Sequence, residues 1–567
     1  MTTARANLQA ALMLLEGLRQ QGMTRLVLCP GSRSGPLAAA AGLLAARGDL
    51  ALTTAIDERS AAFLALGMAT ARGRAVAVVT TSGTAVANLL PAAVEADRSS
   101  QPLLLLTADR PARLKNCGAN QTVNQEQFLQ PVCRWLGHGA PEGLASQPPQ
   151  ELLDLANEAW RHCHGSPPGT VQLNLPFEEP LHGSPEDQVL PQVSGLQRSA
   201  AAASIDLQLG AAPQLDPNQA GVVVAGPWRG LAPALPAYQQ ALRQWLARSG
   251  WLLLADPLAA IPADCPGQLD GWELQLDRLQ LAPGSPVLRL GPLPASRRLE
   301  AWLQRQTGPQ LLISEGEPRG LDPLGLADQW SGGLAAWWAE QNQDFPGAST
   351  PEQLMPQSGI ASLLRQRLPL QGAVNEPALA HWLPLLLPPQ LPVMLAASSP
   401  VRDWLIWGGL QAQNRRCFSF RGASGIDGTL SLAMGLAMEQ GPMVLVTGDL
   451  ALLHDSNGWL HGAQGNPPLL VLLIDNQGGG IFQQLPIQSK QFDRLFAMPQ
   501  RVNPLALAAA HGIDGRQVAC LEDLPEALEW GLAQGRPALL RLATDREADA
   551  RLRTQLRSAA QNAESLL

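Results

Sequence analysis

Two stretches of the sequence decide the fold: Met443-Val-Leu-Val-Thr-Gly-Asp449 and Leu469-Leu-Val-Leu-Leu-Ile-Asp-Asn-Gln-Gly-Gly-Gly480. Each begins with a short continuous apolar run, which is typical of a strand buried on both faces of a parallel sheet. Each run ends in a turn that holds an acidic or amide residue beside glycine. In an open α/β sheet, ligands bind outside the carboxyl ends of the strands. We therefore predict that both turns face one crevice.

The alternation of apolar strands and helical stretches extends along the whole chain. We predict strands at residues 26–29, 75–80, 102–107, 170–175, 221–226, 251–255, 287–291, 311–314, 393–397, 443–447 and 469–474. Because a single core stops growing near ~250–300 residues, 567 residues predict several domains. The predicted fold class is α/β, with three doubly wound parallel-sheet domains.

The domain boundaries follow from composition. Residues 184–220 are rich in Pro, Gln, Ser and Ala and show little periodicity, which indicates a linker. We predict one domain over 1–185, the linker and a Rossmann-like middle domain over 186–355, and a third domain over 356–567. No complete GxGxxG follows a strand of the middle block, so a dinucleotide is not predicted there.

Charge and cysteine content exclude several classes of protein. The formal net charge is −8 without a polybasic tract, so a nucleic-acid partner is not expected. No apolar run reaches the ~18–20 residues of a membrane span, and the first helical stretch lacks the features of a signal peptide. The seven cysteines include no CxxC pair, which predicts neither a disulfide framework nor a zinc knuckle. A reducing cytoplasm is the predicted compartment.

The two quoted turns predict a metal and phosphate site. The side chains of Asp449 and Asn476 and the backbone carbonyl of Gly478 are hard oxygen ligands, which suit Mg²⁺ or Mn²⁺. Glycine lets the backbone approach closely, and a helix N-terminus supplies N–H donors to phosphate. Either turn alone favours an ordinary connection between strand and helix, but the two together favour the metal site.

At this point the sequence resembles the thiamine-diphosphate enzymes, whose motif is a Gly-Asp turn followed about thirty residues later by an Asn pair. Asp475 stands where many members have the first Asn, and Leu450 where many have a third motif glycine. The resemblance implies thiamine diphosphate as the cofactor, with Mg²⁺ or Mn²⁺. The diphosphate end is then bound by the residues Gly448, Asp449, Leu450, Asn476 and Gly479, and the metal by Asp449, Asn476 and Gly478.

Thiamine chemistry requires a carboxyl group at the pyrimidine ring of the cofactor, and Glu58 is the candidate. It precedes an apolar helical stretch, so on its own it is also consistent with an acid that favours the helix N-terminus. Residues 75–109 resemble the pyrimidine-binding domain of the superfamily, which implies that Ser82 and Gly83 contact the cofactor and Ile426 supports it. The resemblance also implies an active site between two subunits, hence a homodimer or homotetramer.

A narrower resemblance is to the carboligases of menaquinone and phylloquinone biosynthesis. The motifs that carry it are Cys29-Pro-Gly-Ser-Arg-Ser34, Asp57-Glu-Arg59, Thr81-Ser-Gly-Thr-Ala-Val-Ala-Asn88, Thr107-Ala-Asp-Arg-Pro111, Gly118-Ala-Asn-Gln121, Arg421-Gly-Ala-Ser-Gly-Ile-Asp-Gly428 and Gly479-Gly-Ile-Phe482. It implies a transferase that decarboxylates 2-oxoglutarate and adds the remaining four-carbon unit to isochorismate by conjugate addition.

Both implied substrates carry two carboxylates, which planar arginine side chains bind well. The arginines at 33, 110, 402 and 421 stand in predicted strand-end or Gly-rich turns, although each could instead form a structural ion pair. By resemblance, the substrate residues are Ser32, Arg33, Arg110, Asn120, Gln121, Arg297, Ser398, Arg402, Arg421, Ile481 and Phe482. The family has a Lys where this chain has Arg297.

Two alternatives stay open at this stage. One is another thiamine-diphosphate enzyme that acts on small 2-oxo acids, such as an acetolactate-synthase-like carboligase or a simple decarboxylase. The other is a non-catalytic α/β protein that keeps a diphosphate pocket for binding or regulation. Glu58, Asp449 and Asn476 together argue against the second alternative, and the set of arginines argues against the first. The histidines form no convincing catalytic arrangement.

Overall fold

A computed structural model describes residues 3–183, 209–341, 359–462 and 466–562. The chain forms two compact units. The N-terminal unit comprises Met1–Asp206, Arg421–Glu439 and Asp455–Asn466. The C-terminal unit comprises Leu207–Phe420, Gln440–His454 and Pro467–Leu567. Among the described helices, none combines the length and apolar character that a membrane crossing requires.

The N-terminal unit is built on one six-stranded parallel sheet in the order β2-β1-β3-β4-β6-β5. Its strands are β1 Arg25–Leu28, β2 Ala51–Thr54, β3 Val76–Thr80, β4 Leu103–Asp109, β5 Cys133–His138 and β6 Thr170–Pro176. Its longer helices are Thr3–Gln21, Gly35–Ala46, Glu58–Arg72, Leu90–Ser99, Pro149–Cys163 and, except for its last residue, Thr429–Gln440. Shorter helical turns are Thr84–Ala87, Ala112–Leu114, Glu126–Leu129, Gln130–Val132, Leu144–Ser146 and Ser456–His461.

The first sheet of the C-terminal unit has five parallel strands in the order β11-β10-β9-β7-β8. They are β7 Val222–Ala225, β8 Leu252–Ala255, β9 Val287–Leu290, β10 Gln310–Ile313 and β11 Ala327–Trp330. Successive residues of β7 enter two different apolar clusters, one on each face, because side chains alternate along a strand. The helices are Ala232–Ala234, Leu235–Ser249, Pro257–Ala259, Trp272–Gln275, Arg297–Gln304 and Leu334–Ala339.

The second sheet of the C-terminal unit has six parallel strands in the order β13-β12-β14-β15-β17-β16. They are β12 Val393–Leu395, β13 Cys417–Phe418, β14 Met443–Gly448, β15 Leu469–Asp475, β16 Asp514–Val518 and β17 Ala538–Ala543. The helices are Gly359–Arg367, Glu376–Leu386, Ser399–Trp407, Gly409–Gln413, Asp449–His454, Gly480–Gln484, Asp493–Ala497, Pro504–Ala510, Leu521–Asp523, Leu524–Ala533 and Arg546–Asn562.

The two six-stranded sheets share one strand order. In each, the first strand lies between the second and third, so the chain leaves it in opposite directions on its two sides. This switch point lies between β1 and β3 in the N-terminal unit and between β12 and β14 in the C-terminal unit. Ligands of open parallel sheets bind at such points, outside the carboxyl ends of the strands. The strand order therefore marks one candidate site in each unit.

The predicted α/β class with three parallel sheets is confirmed, and each predicted strand has an observed counterpart. The prediction missed six strands: β2, β5, β11, β13, β16 and β17. Strand β2 is partly exposed and β16 mostly exposed, so neither has the buried apolar run used to find strands. The predicted boundaries at 185/186 and 355/356, and much of the predicted linker, lie outside the described residues. The division into three domains stays a prediction.

Candidate functional site

In the C-terminal unit, the turns that follow β14 and β15 meet. These strands are neighbours, with Gly448 opposite Ile474. The carboxylate of Asp449 accepts a hydrogen bond from the Gly478 N–H at 2.7 Å and another from the Leu450 N–H at 2.8 Å. Adjacent parallel strands thus place the two motif turns at one edge of the sheet.

The side chain of Asn476 has one satisfied and one unsatisfied end. Its Nδ2 donates to Glu376 Oε1 at 2.7 Å. Its Oδ1 is buried and has no hydrogen-bond partner within the part of the chain that the structure describes. Buried polar atoms are almost always satisfied, and an amide oxygen is a hard ligand. The free oxygen of Asn476 therefore fits a divalent cation.

Asp449 supplies the negative charge of this site. Burial raises the pKa of its carboxyl to about 6, while the N–H groups of Leu450 and Gly478 oppose the rise. A bound cation would favour the ionised form. The Gly478 carbonyl accepts one hydrogen bond, from the Gly480 N–H at 2.9 Å, and retains a second lone pair. These donors match the ligand set that Mg²⁺ prefers.

The glycines of the site are required by space and backbone conformation. Gly478 has φ +121°, and an added Cβ would lie 1.9 Å from the Ala497 carbonyl oxygen. The corresponding position on Gly448 meets nothing within 4 Å. Gly478 therefore allows the chain to pass close to Ala497, whereas Gly448 leaves open space beside Asp449 for a ligand.

Asp475, which stands where many thiamine-diphosphate enzymes have an Asn, forms an ion pair. Its Oδ2 lies 2.7 Å from Arg541 Nε on the neighbouring strand β17. A charged residue at the end of β15 is thus paired with a charged residue on β17. The charge of Asp475 also contributes to the raised pKa of the Asp449 carboxyl.

Ser398 and Arg402 follow β12, at the switch point of the same sheet. Ser398 has φ +77° and precedes the helix Ser399–Trp407. Arg402 lies inside this helix, and its Nη1 donates to the Ser398 carbonyl at 2.6 Å. The prediction of a turn at Arg402 is therefore wrong. The helix begins earlier because Pro400 is compatible with the first turn of a helix.

For three other predicted site residues of this unit, the structure gives the position in the fold but no direct contact with Asp449 or Asn476. Ile481 and Phe482 lie in the short helix Gly480–Gln484, and Phe482 stacks in a tilted arrangement with Phe496. Arg297 is exposed and starts the helix Arg297–Gln304 after β9. Among the described residues, no hydrogen bond or ion pair joins Arg297 to another predicted site residue of this unit.

In the N-terminal unit, Glu58 begins the helix Glu58–Arg72 after β2. The carboxylate of Asp57 caps this helix by accepting the N–H groups of Arg59 and Ser60. Glu58 itself is half-buried. It lies near the buried thiol of Cys29, whose pKa is raised by burial and then by the charge of Glu58. The acid predicted to activate the cofactor is therefore held at a capped helix N-terminus, at the carboxyl edge of the sheet.

A buried polar cluster fixes the first turn of that helix. Ser60 Oγ lies 2.6 Å from Ser431 Oγ and 3.3 Å from His461 Nε2. Asp455 accepts hydrogen bonds from the Ser431 backbone N–H and hydroxyl. Burial lowers the pKa of His461 to about 4 and raises that of Asp455 to about 6. The helix that carries Glu58 is thus anchored by hydrogen bonds to residues 431 and 461.

Arginines converge near the switch point of the N-terminal sheet. Arg33 is buried and binds the Phe177 carbonyl and Glu179 Oε1, each at 2.8 Å. Arg110 donates to the Ser82 hydroxyl and to the Gln121 carbonyl. Burial lowers the pKa of Arg110, and the positive charge of Arg33 lowers it further. Two neighbouring guanidinium groups favour an anionic ligand.

The other predicted site residues near the switch point of the N-terminal sheet include a group around Gly83. Gln121 has φ +54°, and its Nε2 donates to the Ser82 carbonyl at 2.7 Å. The Gly83 N–H donates to the buried Gln125 side chain at 3.0 Å. Ser32 and Asn120 are exposed. The structure therefore joins Ser82, Gly83, Arg110 and Gln121 directly and leaves Ser32 and Asn120 at the surface.

Arg421 and Ile426 lie in a loop that Glu95 holds. The buried carboxylate of Glu95 accepts the N–H groups of Gly422 at 2.8 Å, Ala423 at 2.6 Å and Ser424 at 3.2 Å. An added Cβ on Gly422 would lie 2.7 Å from the Glu95 carbonyl oxygen. The position of this loop in the N-terminal unit thus depends on one carboxylate.

Sequence reasoning missed Glu95 and Glu376, which hold predicted site residues without belonging to a motif. Glu376 also pairs with Arg553, whose side chain binds Asp403. Glu95 lies within a helix and Glu376 at the start of one, and neither has a distinguishing sequence neighbourhood. Only their spacing in three dimensions reveals them.

Comparison with known proteins places the chain among thiamine enzymes. Residues 8–129 match the family described as "Thiamine pyrophosphate enzyme, N-terminal TPP binding domain", and residues 407–542 match its "C-terminal TPP binding domain". A crystal structure of benzoylformate decarboxylase from Polynucleobacter necessarius superimposes with a TM-score of 0.70 at 16% identity, covering 95% of this chain and 99% of that chain. This likeness confirms the fold.

Closer relatives share one name. A 2-succinyl-5-enolpyruvyl-6-hydroxy-3-cyclohexene-1-carboxylate synthase of Parasynechococcus marenigrum (strain WH8102) is 96% identical, covering 96% of this chain and all of the relative (100%). The synthase of Synechococcus sp. (strain CC9605) is 67% identical, covering 98% of this chain and 99% of the relative. The predicted resemblance is confirmed: the chain belongs to the 2-succinyl-5-enolpyruvyl-6-hydroxy-3-cyclohexene-1-carboxylate synthase family of thiamine-diphosphate enzymes.

Proposed function

We propose that the protein decarboxylates 2-oxoglutarate and joins the remaining four-carbon unit to isochorismate. The products are 2-succinyl-5-enolpyruvyl-6-hydroxy-3-cyclohexene-1-carboxylate and CO₂. The observation that carries the choice of substrates is the closeness of Arg33 and Arg110 at the switch point of the N-terminal sheet. Substrates with two carboxylates each suit such a site, because planar guanidinium groups bind carboxylates through paired hydrogen bonds.

The residues of the C-terminal unit fit a divalent cation and the diphosphate of the cofactor. Asp449, the free oxygen of Asn476 and the Gly478 carbonyl would hold Mg²⁺ or Mn²⁺, and Gly448, Leu450 and Gly479 would border the diphosphate. Bound thiamine diphosphate supplies the carbon nucleophile and stores the electrons released when CO₂ leaves. The fit rests on the unsatisfied Asn476 oxygen and the buried Asp449 carboxylate.

The remaining side chains have binding and orienting roles in this proposal. Glu58 donates or shares a proton with the pyrimidine ring of the cofactor, with Ser82, Gly83 and Ile426 beside it. Ser32, Arg33, Arg110, Asn120, Gln121, Arg297, Ser398, Arg402 and Arg421 bind substrate carboxylates and hydroxyls. Ile481 and Phe482 exclude water, because protonation of the reacting carbon would release a free aldehyde.

We further propose that the active form is a homodimer or larger, with the cofactor between subunits. Apolar side chains are exposed beside the predicted site residues of each unit. Ile56 is 74% exposed two residues before Glu58, and Phe482 and Leu485 are exposed after the Gly-rich turn. A second copy of the chain would remove this apolar surface from water. The seven free cysteines support a reducing cytoplasm as the compartment.

The test is an assay with purified protein, thiamine diphosphate, Mg²⁺, 2-oxoglutarate and isochorismate. We expect loss of isochorismate with release of CO₂, and no comparable reaction when pyruvate replaces 2-oxoglutarate. The variants Arg33→Ala and Arg402→Ala should raise KM or abolish turnover, whereas Arg98→Ala, on an exposed helix position, should not. Equal activity with pyruvate, or intact turnover in both arginine variants, would favour an acetolactate-synthase-like enzyme instead.

A further inference from the structure

The amide of Asn476 must present a particular end to the metal. Its oxygen and nitrogen ends are nearly equal in size, but only the oxygen can bind a cation, because the NH₂ group is a donor. Rotation about χ2 of the Asn476 side chain can present either end unless a partner distinguishes them. In the structure, Nδ2 is bound at 2.7 Å and Oδ1 is buried and unsatisfied.

The partner of Nδ2 is a carboxylate. An ionised carboxylate has no hydrogen to donate, so it can act only as a hydrogen-bond acceptor. Glu376 is 2% exposed and starts the helix Glu376–Leu386. Its Oε1 faces Asn476, and its Oε2 accepts from Arg553 Nη2 at 2.6 Å. Facing an acceptor, the amide can make a hydrogen bond in one orientation only, the one with Nδ2 towards Glu376.

The second oxygen of Glu376 is bound by the C-terminal helix Arg546–Asn562. Arg553 from this helix is buried and also binds Asp403 Oδ1 through Nε at 2.9 Å. Asp403 follows Arg402 in the helix Ser399–Trp407. Removing one member of a buried ion pair leaves the other charge unpaired, which is strongly unfavourable. Both oxygens of Glu376 face donors, Oε1 facing Asn476 Nδ2 and Oε2 facing Arg553 Nη2.

We propose that Glu376 is a positioning residue for the divalent cation, which sets the amide of Asn476 so that Oδ1 faces the metal. This inference rests on the proposed metal and thiamine-diphosphate site. Arg553 stabilises the charge of Glu376, and the helix Arg546–Asn562 thereby contributes to metal binding without contacting the metal. Groups behind a metal ligand commonly orient it in this way.

The direct test is Glu376→Gln. A glutamine can offer Asn476 either an oxygen or an NH₂ group, so both amide orientations become possible. We expect the Mg²⁺ concentration for half-maximal stabilisation by thiamine diphosphate, read as a rise in Tm, to increase roughly 10–100-fold. Turnover should recover at saturating Mg²⁺, because the ligand itself is retained.

Glu273→Gln is the matched control. Glu273 is also 2% exposed and is paired with Arg557, which lies on the same C-terminal helix as Arg553. It has no described contact with Asn476. Its replacement removes a comparable buried charge, so it should lower Tm by a similar amount while leaving the Mg²⁺ requirement within about twofold of the original protein.

A second pair of variants separates orientation from general damage. Asn476→Asp places a carboxylate against Glu376, and repulsion between the like charges should turn the new side chain away from the position that Oδ1 occupies, so Mg²⁺ binding should weaken. Adding Glu376→Gln to this variant supplies a donor, which should leave one Asp oxygen for the metal. We expect the double variant to bind Mg²⁺ more tightly than Asn476→Asp alone.

Two results would overturn the inference: a folded Glu376→Gln protein with an unchanged Mg²⁺ requirement, or a double variant no better than Asn476→Asp. Failure of the proposed function is recognised by measurements on the unaltered protein. If the unaltered protein shows Mg²⁺-dependent binding of thiamine diphosphate but does not consume isochorismate, the substrate assignment fails while the role of Glu376 is still measured. If it shows no such binding, both fail.

Discussion

The Asp449 carboxylate and the Gly478 N–H are joined by a 2.7 Å hydrogen bond that connects the turns after two adjacent strands. This contact brings the Gly-Asp motif and the Gly-rich motif into one site. It requires the chain to pass Ala497 closely at Gly478, where any side chain would meet the Ala497 carbonyl. The metal ligands therefore depend on a backbone geometry that only glycine provides.

We expect Gly478→Ala to weaken binding of Mg²⁺ and thiamine diphosphate and to lower stability. The added Cβ would lie 1.9 Å from the Ala497 oxygen, and φ +121° is strained for alanine. Backbone strain of this kind costs about 1–3 kcal/mol before the clash is counted. The measurement is Tm with and without cofactor. Gly512→Ala is the control, because φ is +74° there but nothing lies within 4 Å; an equal effect at both positions would contradict the role of the Ala497 contact.

Glu58→Gln should abolish most of the carboligation while leaving cofactor binding intact. Glutamine keeps the size of the side chain and the capped helix start, but it cannot transfer a proton to the pyrimidine ring. Loss of a group in proton transfer typically costs ~10²–10⁴-fold in rate. Turnover is measured as isochorismate loss, and cofactor binding as the Tm rise with Mg²⁺ and thiamine diphosphate. Undiminished turnover in a variant that binds the cofactor would remove Glu58 from the mechanism.

Glu95→Gln should loosen the loop that contains Arg421. Hydrogen bonds to a charged group each contribute about 1.5–3 kcal/mol, and Glu95 accepts three backbone N–H groups from this loop. We expect faster amide hydrogen exchange at residues 422–424 and a raised KM for 2-oxoglutarate. Glu142→Gln, at an exposed turn position, is the control. Unchanged exchange at residues 422–424 would show that the loop is held by other contacts.

His461 gives the protein a predictable sensitivity to acid. Burial lowers its pKa from 6.5 to about 4. Above pH 6.5 the ring is neutral in both the folded and the unfolded chain. Between pH 6.5 and 4 only the unfolded chain gains the proton, so the free energy of unfolding falls as the pH falls, by about 2 kcal/mol between pH 7 and 5.

His461→Gln should therefore lose less stability than the original protein over the same pH range. Asp455, whose pKa burial raises to about 6, acts in the opposite direction but is present in both proteins. The measurement is the change in Tm between pH 7 and 5 for each protein. Parallel losses in the two proteins would mean that His461 is not buried in its neutral form.

The sequence by itself determined the α/β class, the buried strands and the motif turns after β14 and β15. Short apolar runs and glycine beside an acid or amide are local signals, so they can be read without the fold. Exposed strands such as β16 lack that signal. The helical start around Arg402 was also missed, although Pro400 in the first turn of that helix is a signal that the sequence contains.

Only the tertiary structure decided which groups support the motifs. Glu95 lies more than three hundred positions before the loop it holds, and Glu376 lies one hundred before Asn476. Their roles depend on distances between elements that are far apart in sequence, and a single carboxylate in a helix carries no local mark of its partner. The types of ligand in the site can therefore be predicted from the sequence, whereas the orientation of those ligands is set by the tertiary structure.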